Sequence, residues 1–159
     1  MHLPPGYTIH IGFPSVAAYC ALRTTCGLFA INEDQARLAH IGSWHGVYIT
    51  YKEPAHPPLP TPPLSAATAQ GTIVAMGRIV GDGGWYFNIA DIAVHPVHQK
   101  RGLGGAVMQA LLSEIKHRAP PEAVVMLVAN KYGAPLYRKK GFLDVAEAWG
   151  GVGMGMRMM

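Results

Sequence analysis

The sequence predicts an α/β (α+β) fold, with a mixed, mostly antiparallel six- to seven-stranded sheet flanked by about four helices. Three observations carry this. Strand-like runs of alternating or β-branched residues are interspersed with segments of helical spacing, in the order strand, two helices, three strands, helix, strand, helix, strand or strand pair. Gly81-Asp82-Gly83-Gly84 separates two long apolar runs and reads as a tight hairpin turn. The second of those runs then passes through HPVHQKRGLGG, a basic, glycine-rich turn, directly into an amphipathic helix.

Each element follows from local chemistry. YTIHI (7–11) alternates as a short strand. Pro14-Ser15 opens a helix whose Val16, Tyr19, Cys20, Ala21 and Leu28 fall near one face, and a second helix runs from Asn32 or Glu33 to His40. HGVYITYKE is rich in Val, Ile, Thr and Tyr and is the next strand. EPAHPPLPTPPLSAATAQ, at about 53–70, has six prolines, which exclude helix and strand and leave a long loop. GTIVAMGRIV and WYFNIADIAV form the central antiparallel pair. The following helix runs from Leu103 to about His117 and ends at Ala119-Pro120-Pro121. EAVVMLVAN is a buried strand, YGAPLYRKKGF a short helix closed by Gly141, and LDVAEAWGGVGMGMRMM a final strand region.

Composition narrows the function. A chain of 159 residues is expected to form one domain, 1–159, and buries on the order of 70% of its unfolded surface. Half of the residues are hydrophobic and 14% charged, but no apolar run approaches the roughly 20 residues that span a bilayer, so no membrane association is expected. Prolines interrupt MHLPPGYTIHIGF where a signal peptide would need a continuous apolar segment, and the expected location is cytoplasmic. The net charge of +4 is gathered at Lys100, Arg101, Lys116, Arg118, Lys131 and Arg138 to Lys140, which suits a compact anionic ligand rather than a nucleic acid. Cys20 and Cys26 lie six apart and match neither a metal pair nor a disulfide framework. His95 and His98 flank Pro96 with no third ligand placed by sequence, so no metal is expected.

Gln99, Lys100, Arg101, Gly102, Leu103 and Gly104 spell Q-x-x-G-x-G between a strand and a helix. Glycines permit left-handed backbone and close approach, and free N–H groups at a helix start attract phosphate oxygens. The pattern lacks the Gly-Lys-Ser/Thr ending of a P-loop, and Val107 stands where the dinucleotide fingerprint has its last glycine. A tight turn without a ligand would use the same residues.

The hexad follows DIAVHP and is answered by N130-x-x-G-A-P-L-Y137-R-K-K-G-F142, and this combination resembles the GNAT superfamily of acetyl-CoA-dependent N-acetyltransferases. The resemblance implies that acetyl-CoA (coenzyme A) is the co-substrate. The strand equivalent to Ile89 to Val94 would carry a bulge and splay from the next parallel strand, and the pantetheine arm would lie in that gap at Ile92, Ala93 and Val94, bonded to backbone such as that of Ala93 and Val94. The pyrophosphate would be wrapped by Gln99, Lys100, Arg101, Gly102, Leu103, Gly104 and Gly105. Asn130 matches the asparagine frequent after the fifth strand, and Tyr137 the tyrosine near the thioester sulfur. Gly133 stands where the family often has alanine.

Amide formation needs a neutral amine, and freeing an alkylamine of pKa ~10.4 from its proton at pH 7 costs roughly 4.6 kcal/mol. Asp91 is the candidate to accept that proton or hold the ammonium, with a structural carboxylate as the alternative. Tyr137 is the candidate acid for the departing thiolate. D91-IAV, Q99-x-x-G-LG and LYRKKGF look most like the glucosamine-6-phosphate N-acetyltransferases, although Ala90 replaces the first of their acidic pair. The expected acceptor is therefore the primary amine of a small molecule, an amino sugar such as glucosamine being one, acetylated directly in a ternary complex. A peptide or protein N-terminus and a non-catalytic acetyl-CoA-binding module are the alternatives. The glycine-alternating tail GVGMGMRMM places three methionines on one expected strand face and predicts a homodimer.

Overall fold

The computed structural model describes residues 3–54 and 71–156. It consists of two compact units, Met1–Val128 and Ala129–Met159. The first contains β1 (Tyr7–Ile11), α1 (Val16–Thr25), α2 (Glu33–Ile41), β2 (His45–Tyr51), β3 (Thr72–Gly81), β4 (Tyr86–Val94), a 3₁₀ turn (Pro96–His98), α3 (Leu103–Arg118) and β5 (Val124–Leu127). The second contains α4 (Ala134–Arg138) and α5 (Val145–Trp149). The Pro-rich stretch falls outside the described residues from position 55 to 70.

Local signals set the elements. Ser15 caps α1 by accepting from the Ala18 N–H, and Asn32 and Gln35 form a reciprocal capping box at α2. At the β3–β4 turn Asp82 Oδ1 accepts from the N–H groups of Gly84, Trp85 and Tyr86, a fold-back that the GDGG sequence makes possible.

The strands form one sheet in the order β1-β2-β3-β4-β5. The first three pairings are antiparallel and the fourth, β4 with β5, is parallel. The mixed, mostly antiparallel character thus holds, with five strands among the described residues rather than six or seven. The difference lies in the C-terminal segment. Residues 145–149, expected within a strand, are helical, with Asp144 capping through its carboxylate and Gly150 closing the end in the left-handed conformation. Residues 151–156 have no regular structure, and Met154 and Met156 are exposed.

Helices cover both faces. On one, Tyr19 and Leu22 of α1 and Ala36 of α2 pack against Met76 and Ala93. On the other, α3 buries Val107, Met108 and Leu111 completely, each worth about 1.5–3 kcal/mol of apolar burial. Gly77 of β3 sits beneath this helix: a Cβ there would lie 2.4 Å from Ile92 Cδ1 and 2.7 Å from Val107 Cγ1. The glycine leaves room for the Ile92 side chain to cross under α3.

Candidate acetyl-CoA and acetyl-transfer site

The site begins with a miscount between two strands. Ala93 faces Met76 and Ala90 faces Arg78, so Asp91 and Ile92 of β4 together oppose Gly77 alone. This is a β-bulge, and Asp91 takes the left-handed conformation, with φ of 57°, that turns the extra residue. Ile92 points toward α3, whereas the Asp91 carboxylate meets α1.

The parallel pairing stops just before the bulge, at the last residue of β5. Among the described residues β5 follows β4 from Tyr86 to Ile89 and no further, which leaves the β4 edge from Ala90 to Val94 without a described strand partner on that side. Register decides which groups face the opening. His95 N–H donates to Val74 O at 2.8 Å, so the neighbouring pair Val94–Ala75 is a non-hydrogen-bonded one, and the N–H and C=O of Val94 point away from β3. By the same alternation those of Ala93 point toward β3. Of the backbone expected to meet pantetheine, Val94 is the residue turned outward, its C=O accepting from Gln99 Nε2 and its N–H turned to the Cys26 thiol.

Beyond Val94 the chain turns through Pro96–His98 into α3. Lys100 and Gly102 both have positive φ, 60° and 82°, and Gly102 is the N-cap of α3. At Gly102 a side chain would be strained, but space beside it is open for at least 4 Å. Its N-cap glycine offers no side chain, and among the described residues none caps α3, so the leading N–H groups at Leu103, Gly104 and Gly105 are open to another acceptor. A sixteen-residue helix adds its dipole to that end. These features fit a pyrophosphate.

The side chains of the loop are mostly spent on its own architecture. Gln99 Nε2 donates to Val94 O at 3.1 Å across the strand-to-turn corner. Arg101 Nη1 donates to Tyr7 Oη at 2.9 Å, and the Tyr7 hydroxyl is hydrogen-bonded to His98 Nδ1 at 2.8 Å. Tyr51 packs against both Tyr7 and His98. Burial lowers the His98 pKa below its ordinary 6.5, with Arg101 and His95 adding to the shift, which keeps the ring neutral and able to accept from Tyr7. Lys100 is exposed.

Asp91 stands at the centre of a charge network. Its carboxylate accepts from Tyr19 Oη, from Arg23 Nη1 and, at 2.5 Å, from Arg78 Nε. Arg23 also donates to Phe29 O, and Arg78 Nη1 donates to Ser43 Oγ at 3.0 Å. Burial by itself raises the Asp91 pKa. The hydrogen bonds from Tyr19 and Arg78 and the charges of Arg78 and Arg23 outweigh it and hold the carboxyl below its ordinary 3.8. Two arginines against one aspartate leave the network one unit positive. Burial, followed by the bond to Asp91, raises the Tyr19 phenol.

Arg23, Arg78, Tyr19 and Tyr7 were not among the residues expected from sequence. Arg78 did carry a signal: a lone charge in the buried strand TIVAMGRIVG requires a counter-charge. Nothing in the sequence marks Tyr7.

In the second unit, Asn130 Oδ1 accepts from the N–H groups of Tyr132 and Gly133, at 3.0 and 2.8 Å, and so forms the turn that starts α4. Tyr137 is half-buried on α4, edge-on to Phe142, and burial raises its phenol pKa above the ordinary 10.0. Among the described residues no group of three or more His, Cys, Asp or Glu side chains could hold a metal, and no helix is long and apolar enough to cross a membrane.

Residues 64–143, half of the chain, match the family model of the acetyltransferase (GNAT) domain. The chain belongs to the GNAT acetyltransferase family. Its fold is shared with a probable acetyltransferase of Staphylococcus aureus, at a TM-score of 0.77 and 24% identity, over 96% of this chain and 99% of that one. A GNAT family acetyltransferase of Streptococcus pneumoniae superimposes with a TM-score of 0.68 at 20% identity, over 96% of this chain and 97% of that one. Glucosamine-6-phosphate N-acetyltransferase of Arabidopsis thaliana is more distant, with a TM-score of 0.57 and 14% identity over 96% and 98% of the two chains. At these identities the likeness is one of fold. A UPF0039 protein of Schizosaccharomyces pombe is 28% identical over 86 residues, 54% of this GNAT chain and 57% of that protein, so the chain spans little more than half the length of that relative.

Proposed function

We propose that this GNAT domain transfers the acetyl group of acetyl-CoA to the primary amine of a small molecule, directly, with both substrates bound. The observation that supports it best is the opening of β4 from β5 at the Asp91–Ile92 bulge, next to an α3 N-terminus that no described side chain caps. Val94 would hold pantetheine through backbone groups, and the N–H groups from Gly102 to Gly105, with Lys100, would hold the pyrophosphate. Acetyl-CoA supplies the activated thioester. Asn130 and Tyr137 belong to the same proposal.

The residues divide the chemistry as follows. Tyr137 carries its proton at neutral pH, as any phenol does, and Oη supplies it to the departing sulfur, burial keeping its pKa above the ordinary 10.0. Asp91, expected as the base, already accepts from three side chains and has its basicity lowered. Its role in this reading is to fix the bulge, and the surplus positive charge of its network favours an amine that arrives neutral. An amino sugar remains the acceptor class suggested by the D91-IAV and LYRKKGF motifs.

Two measurements test the reading. Calorimetry should show acetyl-CoA binding to the wild type and none to Gly102→Glu, where a carboxylate and a strained φ replace open backbone. Equal affinity in both would remove the pyrophosphate site. Free-thiol release from acetyl-CoA, across amino sugars, arylalkylamines, polyamines and peptides, should then single out a small amine, whereas turnover with peptides alone would overturn the acceptor class.

A further inference from the structure

We infer that Tyr7 is a positioning residue for acetyl-CoA, whose hydroxyl clamps the turn 98–101 across the left-handed Lys100 and so presets the N–H groups that meet the pyrophosphate; the inference rests on the pyrophosphate site proposed above. One phenol oxygen is shared by two residues of the turn, His98 through Nδ1 at 2.8 Å and Arg101 through Nη1 at 2.9 Å. Lys100 lies between them with φ of 60°, a conformation that costs a residue with a side chain free energy and persists only where its surroundings impose it. Backbone bonding does not impose it. The N–H groups of His98 and Gln99 bond to His95 O and Pro96 O, but among the described residues those of Lys100, Arg101 and Gly102 make no backbone bond. Side chains hold the turn instead: Gln99 on Val94 O, and His98 and Arg101 on Tyr7.

The anchor is rigid where the turn is not. Tyr7 is buried and pairs with Tyr51 in the β1–β2 ladder, and its ring packs on Tyr51 at 4.8 Å and edge-on to His98 at 5.7 Å between centroids. Gly6 before it has φ of 84°, and its carbonyl accepts from Lys52 N at 2.8 Å; a Cβ there would lie 2.7 Å from Lys52 O. The chain entering β1 is thereby pinned against the end of β2, and the phenol does not follow a moving turn. Without the hydroxyl, Lys100 relaxes to a negative φ, which rotates the peptide groups on either side of it. Acetyl-CoA must then restore the left-handed turn as it binds, a cost to affinity that the clamp removes in advance.

A double-mutant cycle, read by calorimetry with acetyl-CoA, tests this. Tyr7→Phe keeps the ring and removes the hydroxyl, and should raise Kd about 5- to 30-fold, the equilibrium factor of one left-handed residue. In the Lys100→Gly background the same substitution should change Kd by no more than about twofold, because glycine adopts positive φ without steric cost. In thiol release with the panel amine that turns over fastest, the loss should fall on KM for acetyl-CoA rather than on kcat, and should spare S-acetylpantetheine, a donor with the thioester arm but no pyrophosphate. An unchanged Kd in Tyr7→Phe, or the same fold-loss in both backgrounds or with both donors, overturns the inference and leaves Tyr7 as a packing residue of β1. Gly102→Glu separates the two readings. If it binds acetyl-CoA as the wild type does, the pyrophosphate site is wrong and the clamp with it; if it does not bind while Tyr7→Phe binds normally, only the clamp is wrong.

Discussion

Asp91 and Tyr137 are held by opposite means. Asp91 lies in the unit that contains every buried apolar side chain among the described residues, and its partners Tyr19, Arg23 and Arg78 come from 72, 68 and 13 residues away in sequence. Tyr137 lies in a segment, 129–156, with no buried side chain, placed by an Asx turn and a five-residue helix. One position depends on tertiary structure and charge balance. The other depends on eight consecutive residues. Damage to the first should therefore appear as lost stability, and damage to the second as lost rate.

The largest effect expected from this contrast is that of Asp91→Asn. The substitution keeps shape but leaves Arg23 and Arg78, with side chains 9% and 18% exposed, short of their counter-charge. Removing one partner of such a buried pair costs about 3–5 kcal/mol, read as a lower urea midpoint at unchanged m-value. An unchanged midpoint would mean that the network is not what holds the bulge. Gly77→Ala should cost less, about 1–3 kcal/mol, since its methyl group would overlap Ile92 and Val107 beneath α3. Tyr137→Phe provides the opposite case: a urea midpoint close to the wild type with turnover down about 10- to 1,000-fold. The smallest effect is one of pH. His98, His40 and His45 all have folded pKa values below 6.5, through burial first in each case, so the unfolded chain binds protons before the folded one does. Melting temperature should hold above pH 6.5 and fall as pH drops below it, with a shallower slope in His98→Gln. The Asp91 contribution, of the same sign, is lost only as pH falls from 3.8 through the depressed folded value.

The same contrast explains what the sequence made legible. The β3–β4 hairpin, α3 and its glycine-rich start were readable because turn chemistry and hydrophobic period are local, and the whole of the Asn130–Tyr137 turn lies within eight letters. The bulge was legible only through the family resemblance and not from local residues, because a one-residue offset exists only relative to a partner strand, and D-I-A-V looks regular until Gly77 is set opposite it. The arginine network was hidden for the same reason. The α5 error is of another kind: Asp144, Glu147 and Gly150 spell a cap, an acidic first turn and a left-handed stop, a complete short-helix signature. The methionine alternation downstream of it suggested a strand that the described residues do not form.

The bond from Tyr7 to His98, and that from Arg101 to Tyr7, give the glycine-rich loop an unusual place in time. Tyr7 leaves the ribosome before its partners, which follow 91 and 94 residues later, at about 5–20 residues per second. For on the order of 5–20 seconds the first strand must wait with that hydroxyl unclaimed by its eventual partners. The loop is then drawn against a strand made long before it. During synthesis, ordering of the glycine-rich turn thus marks the moment at which β1 has met the segment that leads into α3.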